Sequence, residues 1–141
     1  MGKKCRYCPK LISTGRITSK ITGRTYITKT NICCQSNNLV YCIECKICNL
    51  QYVGETYRRI MDRFQGHFSN IRSNNPSNDS LIRHHFNQSD HKGIDDLNIY
   101  VLDFIHMAPK SIGTRNLRRK IEQNWIHRLK TVFPYGLHLD T

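Results

Sequence analysis

Cysteine marks the first places in this sequence where chemistry could happen. Seven cysteines stand at positions 5, 8, 33, 34, 42, 45 and 48, and none follows. Cys5-x2-Cys8 and Cys45-x2-Cys48 have the spacing that lets two thiolates grip one tetrahedral Zn²⁺ from a tight turn. Each pair needs two further ligands. For Cys45 and Cys48 these come from His84 or His85 together with His91; His85 and His91 enclose five residues, the upper end of the H-x3-5-H range. For Cys5 and Cys8 the completion is Cys33 or Cys34 and a fourth group. The odd count and the two C-x2-C pairs speak against a disulfide framework. Cys42 lies in an apolar run and is expected to pack as a small buried hydrophobe.

A second set of groups suits phosphate chemistry. Tyr41 and Tyr52 lie in two short runs of strand-forming residues, Leu39–Ile43 and Leu50–Val53, which flank the second cysteine pair. A hairpin turn centred between Cys45 and Cys48 sets the two tyrosines directly opposite each other on one face. Arg59, Arg63 and His67 recur at i, i+4 and i+8 beside the apolar stripe Ile60, Phe64 and Phe68 of a following helix, for which Thr56 is the expected N-cap. Glu122 sits among Arg115, Arg118, Arg119, Lys120 and Arg128 in a last helix, where Leu117, Ile121, Trp125, Leu129 and Val132 mark the buried stripe and Thr114 the N-cap. Glu122 shares a face with Ile126 and Leu129, which brings its carboxylate to the edge of the buried side. A lone acid there, in a basic protein, is where a cation bound beside phosphate could sit.

The elements that position these groups suit one small domain. Leu97–Ile105 is apolar on both faces for most of its length and reads as a central strand. Ser69–Ser80 and Met107–Gly113 read as connections, and Pro134-Tyr135-Gly136 as a turn. The chain has 141 residues, with 22 Lys+Arg against 10 Asp+Glu, a formal charge of +12. Residues 1–43 carry eight of the basic residues and no acid, so a +8 lead-in of 1–36 precedes a more balanced body of 37–138. A mean hydropathy of −0.55 is lean for a globular domain but is not a disordered composition, and a pI near 9.6 points to a polyanion as partner. No run approaches the roughly 20 apolar residues of a membrane span, and the first residues lack the apolar core of a secretory signal, so a soluble intracellular protein is expected.

Taken in order, these residues resemble the GIY-YIG nuclease superfamily. Leu39-Val40-Tyr41 stands where the first family motif would be and Tyr52-Val53-Gly54 where the second would be. Arg63 and His67 follow on a helix, and Glu122 lies in the later helix at the place of the family's metal-binding Glu. The chain is most similar to the endonuclease domain of Penelope-like retroelements, which carries the cysteine pair between the two tyrosine motifs and His ligands downstream. Cys5-x2-Cys8-Pro9 and Cys34-x3-Asn38 look like that family's lead-in. Leu39 and Val40 replace the Gly-Ile of the first motif, and His138 stands where the terminal Asn would be.

The resemblance implies an α+β fold, with a short, mostly antiparallel central sheet flanked by helices and with zinc knuckles. It implies a DNA endonuclease that nicks for target-primed reverse transcription, in the nucleus, beside a reverse transcriptase. Glu122 would hold one Mg²⁺ or Mn²⁺. Tyr41 would be the general base, Tyr52 would orient water or phosphate, Arg63 would bind phosphate oxygens, His67 would assist proton movement, and His138 would support the site. Zn²⁺ would bind Cys45, Cys48, His85 and His91, with a second ion at Cys5, Cys8 and Cys34. Arg58, Arg59, Arg118, Arg119 and Lys120 would face DNA. Two rival readings are a zinc-stabilised nucleic-acid-binding module without catalysis and a repair-type nuclease acting on branched DNA.

Overall fold

The computed structural model describes residues 7–48, 50–65 and 96–131. A 3₁₀ turn, Cys8–Lys10, leads into β1 (Leu11–Ile12), β2 (Arg16–Thr18) and β3 (Thr25–Ile27), and then into β4 (Leu39–Cys45) and β5 (Gln51–Thr56). A helical stretch at 60–65 (α1) follows. After it come β6 (Leu97–Phe104) and a long helix, α2 (Ile112–Leu129). The main sheet runs β1-β6-β4-β5, and a separate β2–β3 hairpin packs beside it. Among the described residues only β1–β6 is parallel; β4 pairs antiparallel with both neighbours. The result is a small α+β domain with a mixed sheet.

All seven residues of β4 are buried, because this interior strand is covered on both faces. Alternation divides them. Leu39, Tyr41, Ile43 and Cys45 join a core with Ile60 and Phe64 of α1, while Val40 and Cys42 join the opposite core with Trp125, Ile126 and Leu129 of α2. Cys42 is therefore a core thiol, and burial pushes its proton affinity up. At the end of the strand, Glu44 is buried but partnered: Gln51 Nε2 and Tyr100 Oη donate to it at 3.0 Å, and Lys20 Nζ lies 3.6 Å away.

The lead-in does not stand apart. β1 is an edge strand of the main sheet, and Ile17 and Tyr26 of the hairpin pack on Trp125, Tyr26 meeting its ring edge-on at 5.6 Å. The charge boundary near residue 43 is thus not a structural one: basic residues stay on the hairpin's exposed positions while Ile17 and Tyr26 share the core.

Both expected helix caps differ from those observed. Thr56 ends β5, paired with Leu39, and its Oγ1 accepts from Arg58 N at 3.0 Å. The first N–H groups of α1 are satisfied by backbone instead, Ile60 N donating to Ser36 O and Met61 N to Cys34 O. For α2 the cap is Ser111, whose Oγ accepts from Thr114 N at 3.1 Å. Thr114 is a buried residue of the first turn.

Candidate functional site

Tyr41 and Tyr52 share a face but are not directly opposed. Tyr41 pairs with Gly54 and Tyr52 with Ile43, a shift of two positions from the expected register. The turn is wider than the cysteine spacing suggests, closing with Cys45 N on Leu50 O. A two-residue shift preserves the face of every side chain, so the rings remain diagonal neighbours, 6.4 Å between centroids.

The shift gives Gly54 its purpose. A Cβ at that position would lie 2.5 Å from Tyr41 Oη and 2.6 Å from its Cζ. The ring lies flat against bare backbone and is held from the other side by Phe64, edge-on at 4.9 Å. Gly54→Ala should therefore cost roughly 1–3 kcal/mol, the usual range for overpacking a core. It should also displace the tyrosine from its partner; urea midpoints and cleavage rates of the variant check both.

That partner is Arg63, whose Nε donates to Tyr41 Oη at 3.1 Å. The helix α1 carries Arg63 one residue before buried Phe64, which anchors it on the tyrosine face of the sheet. Tyr41 itself is 0% exposed. Tyr52 is the half-buried one of the two.

Glu122 arrives from the opposite face. It and Glu55, which points to the α2 side of β5, flank the outer edge of the sheet, where among the described residues no further strand intervenes. Residues from both faces converge around this edge strand: Glu55, Arg63, Arg115, Arg118 and Arg119 line one groove of about 540 Å³. Partial burial, first, and then the charge of Glu55 push the Glu122 carboxyl up to about 7, against the opposing pull of Arg119 and Arg63. Glu55 lines the groove and Glu122 lies beside it within electrostatic range of Glu55, Arg119 and Arg63, and two carboxylates that repel each other have the electrostatics a divalent cation would relieve. One protein carboxylate with phosphate and water completing the shell is the usual mode for Mg²⁺.

Of the cations expected to face DNA, Arg58, Arg59, Arg119 and Lys120 are exposed. Arg59 is bound to Asp62, 2.9 Å from Nε. Arg118 departs from expectation. It is 3% exposed, and its guanidinium donates to Glu55 Oε1 at 2.7 Å, Asn38 Oδ1 at 2.8 Å and Pro109 O at 2.8 Å. Within the run of basic residues on α2 it is a strut. Asn38 is the junction it holds: with φ +55, a conformation Asn tolerates, it also donates from Nδ2 to Ile105 O and Met107 O.

Sequence reasoning gave Asn38 and Glu55 no role beyond their place in the motif runs and did not single out Lys110, although an acid next to Tyr-Val-Gly and an Asn just before a strand were both readable. Tyr57 is exposed, with Arg118 and Lys110 each within 6 Å of its ring centre, at 5.8 and 5.9 Å.

Of the expected zinc ligands, Cys45 is buried and Cys48 exposed, with Cys48 N donating to Cys45 Sγ at 3.4 Å. Cys8 is half-buried and Cys34 buried. Cys5, His67, His84, His85, His91 and His138 lie outside the described residues. Among the described residues no group of three or more His, Cys, Asp or Glu is placed to hold a metal ion.

The mixed sheet, with a tyrosine, an arginine and an acid around its edge strand and a basic groove beside it, defines a small α+β domain. The family model of the GIY-YIG catalytic domain matches residues 37–135, and the chain belongs to that family. Membership makes it a nuclease domain of the endonuclease superfamily, hydrolysing phosphodiester bonds. No curated protein and no solved structure matches the chain.

Proposed function

We propose that this domain is a divalent-metal-dependent DNA endonuclease of the Penelope-like type, nicking nuclear DNA to supply a 3′-OH to a reverse transcriptase. The observation that carries the catalytic reading is the Arg63–Tyr41 hydrogen bond on one side of the β5 edge with Glu122 on the other. Binding alone needs neither a half-buried arginine tied to a buried tyrosine nor an acid of raised proton affinity beside a basic groove.

Glu122 would hold one Mg²⁺ or Mn²⁺, which when bound supplies positive charge to the scissile phosphate and the departing oxygen. Arg63 binds the phosphoryl oxygens, its planar guanidinium suited to two oxygens at once. Tyr52, the more accessible phenol, takes the proton from the attacking water. Tyr41 fixes Arg63 through its hydroxyl and so sets where the phosphate sits. Water adds to phosphorus and the 3′-oxygen leaves with a proton, for which His67 is the proposed donor and His138 the supporting group. Zinc at Cys45, Cys48, His85 and His91 would hold the β4–β5 turn, with a second ion at Cys5, Cys8 and Cys34. The retroelement assignment draws on the cysteine pair set between the two tyrosine motifs.

A supercoiled plasmid is the test. The parent protein should nick it with Mg²⁺ and stop on chelation, and Arg63→Ala should be silent. Tyr52→Phe should lose roughly a hundredfold or more in nicking rate, the usual contribution of a positioned general base, whereas Tyr41→Phe should lose less. DNA binding without nicking would refute the nuclease and leave a zinc-stabilised binding module; cleavage confined to branched DNA would favour the repair-type reading.

A further inference from the structure

A second groove, of about 1030 Å³, opens between the turn joining β2 to β3 and the C-terminal end of α2. Arg24 and Thr22 line it from the turn, and His127, Arg128 and Lys130 from the helix. Among the described residues, no carboxylate lines it. It lies on the flank of α2 away from the cleavage site: Arg115, Arg119 and Glu122 mark one edge of the helix, Asn124 and Arg128 the other.

The groove is built by one buried hydroxyl. Ser19 is 1% exposed; its Oγ donates to Leu129 O at 2.9 Å and accepts from Ile21 N and Thr22 N. Ser19 O and N close the same turn with Gly23 N and Arg24 O. The turn that carries Arg24 is thereby fixed to the last turn of the helix before any ligand arrives. Tyr26 against Trp125, and the Arg128 guanidinium 4.8 Å above the Trp125 ring, hold the remaining wall.

The bland account of basic residues here is that they offset the helix C-terminus. That end carries roughly half a negative charge, and Lys130 and Arg128 already exceed it. Arg24 comes from a different element and raises the surplus further, so the helix end does not explain the groove. Along α2, Arg119 and His127 are separated by about 12 Å at roughly 1.5 Å per residue, the rise of three to four base pairs of duplex at roughly 3.4 Å each.

We infer that this groove is a second site for the DNA phosphate backbone, gripping duplex a few base pairs from the bond that is cut. The inference rests on DNA as the substrate and adds where the flanking duplex is held. The contacts are to phosphate and carry no sequence information.

The full chain is titrated with a 30-base-pair duplex of arbitrary sequence, without divalent metal, across a range of salt. Arg24→Ala combined with Lys130→Asn should lower the log affinity–log salt slope by about 2, since each phosphate contact contributes roughly 0.9. Asn is chosen because Lys130 has φ +53. The charge-keeping pair Arg24→Lys with Lys130→Arg should retain the parent slope. A slope unchanged in the charge-removing pair overturns the proposal, and so does failure of the parent to bind duplex. A parent that binds but does not nick refutes the nuclease reading alone, because the slope is read without cleavage.

Discussion

Replacing Glu122 with glutamine is expected to abolish cleavage while making the metal-free protein harder to unfold above pH 7. The carboxylate that would hold the cation is gone, and loss of one such charge-stabilising group costs roughly a hundredfold or more in rate. Stability moves the other way. The folded protein holds the Glu122 proton up to about pH 7, whereas an unfolded glutamate releases it near its model value of 4.5. Between those values the native state binds more protons than the unfolded one, so stability falls as pH rises and the penalty is complete above pH 7. Glutamine never carries the charge. Thermal melts should agree for parent and variant near pH 4 and diverge by pH 8, the variant melting higher. Mg²⁺ should then raise the parent's midpoint and leave that of Glu122→Gln in place. A variant that melts lower than the parent at pH 8 would mean that the side chain is a structural partner rather than a strained ligand.

The second large effect concerns Arg118. Arg118→Met keeps the length and apolar stem of the side chain but removes three charge-assisted donors at once. Glu55, Asn38 and Pro109 O lose their common partner in a place Arg118 itself shows to be nearly closed to water. Breaking one side of a buried charged pair costs about 3–5 kcal/mol, enough to remove a large part of a small domain's stability. Denaturant midpoints should show it. Arg119→Met, one position along and exposed, should stay within about 0.5 kcal/mol of the parent while weakening DNA binding. The pair of measurements separates a strut from a phosphate contact among neighbours that look alike in sequence.

That likeness explains what was legible. Strand and helix positions could be read because each rests on local pattern: β-branched and aromatic runs for β4, β5 and β6, and helical spacing of Trp125 and Leu129 for α2. The face shared by Tyr41 and Tyr52 survived an error in register because strand alternation has a period of two. The register itself was not legible, since the width of the turn is set by Cys45 N on Leu50 O rather than by the cysteine spacing. The caps were missed for a similar reason. The start of α1 is satisfied by carbonyls of Cys34 and Ser36, which sequence proximity does not bring to it. Arg118 looked like its exposed neighbours because its partners come from the start of β4, the end of β5 and the loop before α2. Glu122 at the edge of the buried side followed from helical spacing, but the acid opposite it, Glu55, belongs to another element, and only the fold brings the two within range.

The pairing order of the sheet bears on how the protein acquires its hazard. β4 and β5, which carry both tyrosines, are neighbours in the chain and close through a short turn, whereas β4 must find β6, and β6 must find β1, across long stretches of sequence. Short closures are fast and long ones slow. On refolding, the tyrosine hairpin is expected to form early, and Glu122 can take its place only after β6 has been captured and α2 has docked. Cleavage activity should therefore lag behind the first protected amides and appear with the last step, so a half-folded chain meets DNA unarmed.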